Sequence, residues 1–399
     1  MSQWPFFSRI MANFTKMRYL KYYISPLTLV LALYTCTLGS LYPTAFFVGF
    51  SLFIILGDII IKEDLVEASH QNQFILNLPI YLNLPLILLL AFMTVFVLSS
   101  SPSLGLAQWF TNITGIDLLA IKRSTHPLDA ISLVALTSLF IGVMGTVPGH
   151  ELVHRIKNKF DMFMGNWLLA ISWDCAFAIE HVYGHHKNVG LESDPATAKR
   201  GENLYFFILR AVLKEQKDAW IIENNRLRKN HQTIVSLKNR MLIGYMRSGV
   251  FSFIAYLIGG LSGILIFILC ALISKCLLEV INYTEHYGLV RVPNQPVKPH
   301  HSWNTNSAVS SIYLYNVTRH SSHHEKSHLQ YWELKSYPNA PTLPQGYLSM
   351  LYLAIFLPWL YHRVMAPRLI DWDSNYASDE ERALAKIHNQ NSGLSYLMA

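Results

Sequence analysis

The sequence predicts an all-α integral membrane protein with about six transmembrane helices and a histidine-rich cap on the cytoplasmic side. Apolar residues make up 52% of the 399 positions and charged residues only 14%, whereas a soluble domain carries roughly a quarter charged residues. The apolar residues are gathered into runs long enough to cross the hydrocarbon core of a bilayer. Histidine occurs 17 times, and over half of these residues fall in four short groups.

The apolar runs predict spans at about 24–40, 41–61, 78–100, 128–149, 241–259 and 261–281. The last two come from one apolar block of about forty residues, roughly twice what a single crossing needs at 1.5 Å per residue. Gly259 and Gly260 lie near its middle, so we expect a hairpin there. The whole chain, 1–399, is predicted to form one membrane-embedded domain, with segments 150–240 and 282–399 forming the cytoplasmic cap.

The charge distribution indicates which side of the membrane the cap occupies. The net charge is +7, and segment 155–240 is densely basic. The positive-inside rule and anionic lipid headgroups explain this segment, and no nucleic-acid-binding fold pattern accompanies it. We therefore expect a multi-pass protein of the cell inner membrane with its site on the cytoplasmic side.

Nine histidines have the spacing of metal ligands. Residues four apart share one helix face, so His150 with His154, and His181 with His185, are each expected to bind one ion from one side. Imidazole favours Fe, Cu, Zn and Ni over Mg or Ca, and nine imidazoles suit two ions with open positions. The four groups are His150 and His154; His181, His185 and His186; His286; and His320, His323 and His324.

The predicted topology brings these groups to one membrane face. No full span separates the first group from the second, a two-span hairpin separates the second from the third, and the fourth follows directly. The other eight histidines follow no such spacing and are expected to be ordinary surface or packing residues. His301 and His328 lie nearest the site in sequence.

An alternative interpretation rests on the first group alone. His150-Glu151-Leu152-Val153-His154 matches HExxH, the zinc-protease motif, with Glu151 as general base. That interpretation needs only one further ligand and leaves six of the clustered histidines without a role.

The four boxes resemble those of the membrane alkane 1-monooxygenases, in the alkane hydroxylase and xylene monooxygenase branch of the fatty-acid-desaturase-like superfamily. The resemblance is carried by HELVH at 150–154, EHVYGHH at 180–186 with ESDPA at 192–196, NYTEHYGL at 282–289 and RHSSHH at 319–324. LPQGY at 343–347 and RVMAPR at 363–368 extend it, so that it covers roughly residues 20–372. Ser322 stands where the alkane enzymes usually carry Asp, and 325–330 also departs from their pattern, which leaves the substrate open.

The resemblance implies a non-haem diiron site. Its ligands carry over onto His150, His154, His181, His185, His186, His286, His320, His323 and His324. It implies O2-dependent hydroxylation of an alkane or alkyl-aromatic methyl group, with electrons from a rubredoxin or a ferredoxin-type reductase. The chain has neither a CxxCG pair nor a GxGxxG motif, so the donor is expected to be a separate protein. The alternatives are a fatty acyl desaturase or hydroxylase, and a non-catalytic membrane metal-binding or transport protein.

Two further sets of residues are candidates around this site. Carboxylates beside the ligands are expected to accept imidazole N–H bonds and fix the ring tautomers, unless they form ordinary salt bridges; they are Glu151, Glu180, Asp194 and Glu285. An aromatic stripe in the second span is a candidate substrate channel, although at helical spacing such a stripe is more often packing. Its members are Phe46, Phe47, Phe50 and Phe53.

Overall fold

The computed structural model describes residues 18–61, 63–67 and 72–398. Within these ranges the chain is helical, and the only β pairing among the described residues is two isolated bridges, Glu63 with Ser307 and Asn304 with Thr342. The prediction of an all-α protein is therefore confirmed. The prediction of one domain covering 1–399 includes residues 1–17, 62, 68–71 and 399, which lie outside the described ranges.

The helices follow one another along the chain. They are α1 (Ile24–Leu38), α2 (Tyr42–Ile60), α3 (Gln73–Leu98), α4 (Leu104–Thr114), α5 (Leu118–Ser124), α6 (Pro127–Val153), α7 (Lys159–Ile171), α8 (Phe177–Glu180), α9 (Leu204–Lys229), α10 (Arg240–His286), α11 (Ala308–Tyr313), α12 (His320–Glu325), α13 (Tyr347–Phe356), α14 (Pro358–Asn375) and α15 (Asp379–Asn391). Helix α8 continues as a π-helical turn, His181–His185, and ends with His186–Asn188. The longest connections lie before α9, α11 and α13.

Four of these helices are long and apolar enough to cross a membrane: α2, α3, α6 and α10. Helix α10 is two antiparallel segments, because Gly259 and Gly260 have non-helical backbone angles, with φ of +61° at Gly260. The rings of Phe251 and Phe267 lie 6.5 Å apart, whereas a straight helix would separate these positions by roughly 24 Å. The chain thus reverses at the two glycines where the sequence predicts a hairpin.

The first predicted span is shorter than expected. Helix α1 has 15 residues, below the roughly 20 that cross the hydrocarbon core, and a 3₁₀ turn, Arg18–Tyr23, precedes it. By length alone, α2, α3, α6 and the two halves of α10 make five crossings. A sixth crossing by α1 remains a prediction.

Helices α6 and α7 cross at a pair of glycines beside the first histidine group. A Cβ atom at Gly165 would fall 2.9 Å from Leu152 and 3.1 Å from the carbonyl oxygen of Gly149, so a larger residue there would push the helices apart. Below this crossing, Arg155 donates to Glu151 (2.6 Å), Asp161 (3.2 Å) and Asn77 (2.6 Å). The end of α6 is thereby fixed to both α7 and α3.

A buried carboxylate anchors the C-terminal part of the chain to α2. Asp58 is 6% exposed and accepts hydrogen bonds from Ser310 (backbone N, 3.0 Å; Oγ, 2.7 Å) and from Ser349 (backbone N, 3.2 Å; Oγ, 3.0 Å), as well as from the Ser307 hydroxyl. This cluster holds α11 and α13 against α2. It therefore sets the position from which the chain continues into the fourth histidine group.

We expect Asp58→Asn to destabilise the fold by about 2–3 kcal/mol. The side-chain amide would replace one acceptor oxygen with an NH2 donor, which would face the buried serine donors that the carboxylate now satisfies. Thermal unfolding of the purified protein in detergent measures the effect. Asp117→Asn is the matched control, because Asp117 caps α5 and asparagine is an equally good N-cap. Equal stability of both variants would contradict this role.

Candidate metal centre

The nine histidines converge into two adjoining groups. His150, His154, His181, His186 and His323 form a five-histidine group, and His185, His286, His320 and His324 form a four-histidine group. In each group every residue offers a ring nitrogen, and these nitrogens lie within 4.8 Å of one another. The groups meet where the rings of His186 and His324 approach to 4.5 Å.

The ends of two membrane helices deliver the first and third histidine groups of the sequence to this place. His150 lies in the last turn of α6, and His286 is the final residue of α10. A π-helical stretch, Ile141–Thr146, precedes His150 within α6, and such turns are often found at functional sites. The convergence on one end of the bundle agrees with the topology predicted from the sequence.

The pairing within the second histidine group differs from the expectation. We expected His181 and His185 to share an ion at i, i+4 spacing, but His181 lies with His186 and His185 lies in the other group. The reason is the π-helical turn His181–His185, whose wider winding brings residues five apart onto one face. The structure therefore does not bring these two residues into one group, contrary to that expectation.

In the fourth group of the sequence, the two histidines four residues apart lie together, and the two histidines three residues apart do not. His320 and His324 lie together in the four-histidine group, whereas His323 lies in the five-histidine group. Adjacent residues on α12 thus point to different groups, as do His185 and His186. Each of these two helical segments contributes to both groups.

Ring nitrogens face one another inside both groups. In the five-histidine group, His323 Nε2 lies 3.1 Å from His150 Nε2 and 3.2 Å from His186 Nε2. In the four-histidine group, His320 Nε2 lies 3.1 Å from His286 Nε2 and 3.0 Å from His324 Nε2. His154 Nε2 and His185 Nε2 are buried without a hydrogen-bond partner. Buried nitrogens that face one another or have no partner fit the donor set of a metal ion.

Five histidines of the two groups, all outside the membrane helices, are held neutral. Burial, followed by the charge of neighbouring imidazoles, lowers the pKa of His181, His186, His320, His323 and His324 well below its usual value. Neutral imidazole is the form that binds metals. These five rings are therefore in the metal-binding form at neutral pH.

In the four-histidine group, the tautomers of His185 and His286 are each fixed by a hydrogen bond from Nδ1. His185 donates from Nδ1 to the Asp194 carboxylate, with distances of 3.0 and 3.1 Å, and Thr197 donates to the same carboxylate at 2.6 Å. His286 donates from Nδ1 to the backbone oxygen of His301 at 3.0 Å. Each ring is thereby left with an unprotonated Nε2 directed into the group.

Glu285 and Asp194, both predicted to orient ligands from behind, occupy different positions. Asp194 lies behind His185, as described above. Glu285 instead places Oε2 3.3 Å from His320 Nε2, the nitrogen that faces His286 and His324. Its carboxylate therefore lies on the inner side of the four-histidine group, among the nitrogens available to a metal.

Glu151 and Glu180 do not contact the nine histidines through any hydrogen bond among the described residues. Glu151 pairs with Arg155 and accepts from the backbone nitrogen of Tyr331 at 3.1 Å, which is the salt-bridge alternative. Glu180 is buried, and burial, followed by the charge of Asp194, raises its pKa well above the usual value.

The aromatic stripe of α2 forms packing contacts. Phe46 and Phe50 stack at 6.0 Å and both contact Phe140 edge-on, while Phe53 meets Tyr313 at 6.5 Å. Phe47 also packs against the core. None of the four lines the apolar cavity of about 550 Å³ bounded by α1, α3, α4 and Ile258. That cavity lies near the hairpin tip, at the opposite end of α10 from His286.

The residue that sequence reasoning missed is His301. It is fully buried, and its backbone oxygen orients His286. Its place eighteen residues before the fourth histidine box gave a hint, but no sequence pattern identifies which backbone carbonyl faces a ligand.

Comparison with known proteins places this centre in a family. Residues 129–354 match the fatty acid desaturase family model, and this segment holds all nine histidines. Alkane 1-monooxygenase 1 of Alcanivorax borkumensis is 36% identical over 258 residues, which are 62% of this chain and 63% of that protein. Alkane 1-monooxygenase of Acinetobacter baylyi is 32% identical over 281 residues, 69% of this chain and 67% of that protein.

A third relative matches over a longer stretch. The xylene/toluene monooxygenase hydroxylase component XylM of Pseudomonas putida is 29% identical over 375 residues, 94% of this chain and 95% of that protein. The family model alone covers more than half of the chain. The chain therefore belongs to the fatty acid desaturase family, in the branch of the alkane and xylene monooxygenases.

Proposed function

We propose that this protein is a membrane monooxygenase that hydroxylates a methyl group of an apolar hydrocarbon at two iron ions. The observation that carries the proposal is the division of nine histidines, seven of them buried and two half-buried, into two adjoining groups. A protease of the HExxH type would need only His150, His154 and one further ligand, and would leave the four-histidine group without a role. A transport protein would not need two ligand sets that share two helical segments.

The five-histidine group would hold one ion and the four-histidine group the other, with Glu285 available as an oxygen ligand to the second. Imidazole-rich sites with a carboxylate suit ferrous iron. When bound, the two ions would supply the redox chemistry that activates O2. The balanced reaction is RH + O2 + 2e⁻ + 2H⁺ → ROH + H2O, so each turnover needs two electrons from outside the chain.

The residues of the chain orient the ligands and exclude water. Asp194 and the His301 carbonyl fix which nitrogen of His185 and His286 faces the ions. Beside His150 and His323 lie the apolar side chains of Val147, Leu314 and Leu334, together with Glu151 and Tyr315.

The names of the relatives support the same substrate class. The matches include alkane 1-monooxygenases and a xylene/toluene monooxygenase component, whose named substrates share an apolar body with a methyl group. Desaturation of an acyl chain is the competing reaction, because the matching family model describes fatty acid desaturases. The two reactions differ in product, since only hydroxylation retains an oxygen atom of O2.

We further propose that the histidine-bearing end faces the cytoplasm and receives electrons from a separate rubredoxin- or ferredoxin-type protein. Helix α9, which packs on the π-helical turn of the second group, carries several lysines and arginines, including Arg210, Lys214 and Lys217. Their charge agrees with the positive-inside rule and would attract an acidic donor.

Membranes containing the protein, supplied with NADH and a rubredoxin or ferredoxin system, should convert octane to 1-octanol or p-xylene to its benzylic alcohol. Under ¹⁸O2, mass spectrometry should find one labelled oxygen in the product. A fatty acid is tested as the third substrate. His181→Ala and His323→Ala should abolish turnover, because each removes a ligand of the five-histidine group. An unlabelled alkene product, or turnover that survives both substitutions, would contradict hydroxylation at this centre.

Pairs of substitutions test the division of the ligands between two ions. Removing His185 and His286 together should cost one ion, because both belong to the four-histidine group. Removing His181 and His185 together should cost both ions, although these residues lie on one short helical segment. After anaerobic reconstitution, mass spectrometry should therefore find about one iron per chain in the His185 and His286 double variant and about zero in the His181 and His185 double variant. The opposite result would indicate that His181 and His185 bind the same ion.

Asp194→Asn should weaken binding of the ion in the four-histidine group by roughly 10- to 100-fold, the usual effect of losing a carboxylate behind a ligating histidine. Competition with a ferrous chelator measures the affinity. Glu192→Gln, two residues away and exposed, is the control and should bind like the wild type. Unchanged affinity in Asp194→Asn would show that this carboxylate does not act through His185.

A further inference from the structure

The C-terminal helix α15 contacts a segment that lies against two of the three ligand-bearing elements of the four-histidine group, α10 and α12. We define this segment, residues 299–304, as the strap. It follows α10 in the chain and runs past the end of that helix. The backbone nitrogen of Trp303 donates to the Glu285 carbonyl at 2.9 Å, and the Trp303 indole donates to the Tyr287 carbonyl at 2.9 Å. His286 lies between these two contacts and donates to the His301 carbonyl.

The strap also contacts α12, which carries His320 and His324. The backbone nitrogen of Ser321 donates to the Asn304 side chain at 2.9 Å, and the Ser321 hydroxyl donates to the carbonyls of Pro299 and Ser302. The strap therefore connects three of the four histidines of this group. Helix α12 also carries His323 of the five-histidine group, whereas the hydrogen bond from His286 to the His301 carbonyl belongs to the four-histidine group.

Glu381, in the first turn of α15, holds the strap through the side chain of His301. His301 Nδ1 accepts from the backbone nitrogen of Lys298 at 2.9 Å, so the proton of the neutral ring is on Nε2. That nitrogen donates to Glu381 Oε1 at 2.7 Å. The other carboxylate oxygen accepts from the backbone nitrogen of Ser378 at 2.8 Å. One buried carboxylate thus connects the start of α15 to the strap.

A metal ion is a poor explanation for this cluster, although His300, His301 and Glu381 are close enough together to hold one. With Nδ1 accepting a backbone hydrogen bond, His301 could bind a metal through Nε2 only by losing its remaining proton. A neutral imidazole donates a hydrogen bond to a carboxylate much more readily than it gives up its last proton. The cluster has the chemistry of a hydrogen-bonded clamp.

A second contact supports the same connection independently. Arg200 donates from Nε to the Gly288 carbonyl at 2.8 Å, two residues after His286. Its other nitrogens donate to Asp373 at 2.7 and 2.6 Å and to Asn389 of α15 at 2.7 Å. The turn that follows His286 is therefore fixed to α14 and α15 as well.

We propose that Glu381 is a positioning residue: through His301 it holds the carbonyl that orients His286, and so selectively supports the ion of the four-histidine group. This inference rests on the proposed function, since it assumes two bound ions. Helix α15 lies beyond the segment that matches the family model. The inference gives this helix an indirect role in positioning a ligand of the metal centre.

The experiment measures ferrous iron bound per chain at a fixed low free concentration, with full-length protein reconstituted anaerobically. Glu381→Ala should lower binding from two ions to about one, through at least a tenfold loss of affinity at one site. Glu381→Gln should lose less, because its amide oxygen still accepts the His301 proton. Glu380→Gln, exposed on the same helical turn, is the matched control and should retain two ions.

Two backgrounds identify which ion is lost. In His154→Ala, where the remaining ion occupies the four-histidine group, adding Glu381→Ala should remove it. In His185→Ala, where the remaining ion occupies the five-histidine group, adding Glu381→Ala should change nothing. His301→Phe keeps the backbone carbonyl and loses the 2.7 Å contact with Glu381, while His300 retains its 3.2 Å contact. This variant should lower binding in the same direction as Glu381→Ala and replaces it should that variant fail to fold.

The outcomes separate this inference from the proposed function. A wild-type chain that binds fewer than two ions would contradict the proposed function. A wild-type chain with two ions and a Glu381→Ala variant that keeps both, or that loses both equally, would overturn the positioning role alone. Binding of a third ion that depends on Glu381 would overturn it in favour of a metal site.

Discussion

The structure depends on one constraint: imidazoles from four separate chain segments must present unprotonated nitrogens at the same place. Buried polar atoms without partners are costly, and here they are gathered side by side, with His154 Nε2 and His185 Nε2 among the unpartnered atoms. The surrounding fold holds these polar atoms in place despite the unfavourable free energy of burying them. Helix ends, a π-helical turn and a strap of backbone carbonyls all act to keep the rings in place, and a pair of bound ions would satisfy the nitrogens.

The membrane helices and the cap share this work. Helices α6 and α10 bring His150 and His286 to one end of the bundle, and the hairpin at Gly259 and Gly260 returns α10 to that end. The cap then supplies the remaining ligands on short helical segments. Asp58 fixes the chain that continues into the fourth histidine group, Arg155 fixes the end of α6, and Arg200 fixes the turn after His286. Loss of a cap contact can therefore affect the centre without touching a ligand.

Much of this arrangement could be predicted from the sequence, because length and spacing have direct geometric meaning. Apolar runs predict membrane helices, two adjacent glycines predict the reversal, and the clustered histidines predict the converging site. The division of ligands could not be predicted, because the π-helical turn at His181–His185 changes which residues share a face. Nor could the role of His301, because its contribution is a backbone oxygen. Glu285 shows a third limit, since sequence adjacency to His286 does not tell on which side of a ligand a carboxylate lies.

The central claim is that one chain holds two ions in different surroundings, one with five histidines and one with four histidines beside Glu285. Mössbauer spectroscopy of protein reconstituted anaerobically with ⁵⁷Fe(II) tests this claim most directly. The account predicts two high-spin ferrous doublets of equal area and two iron ions per chain. A single doublet from one iron per chain would contradict it.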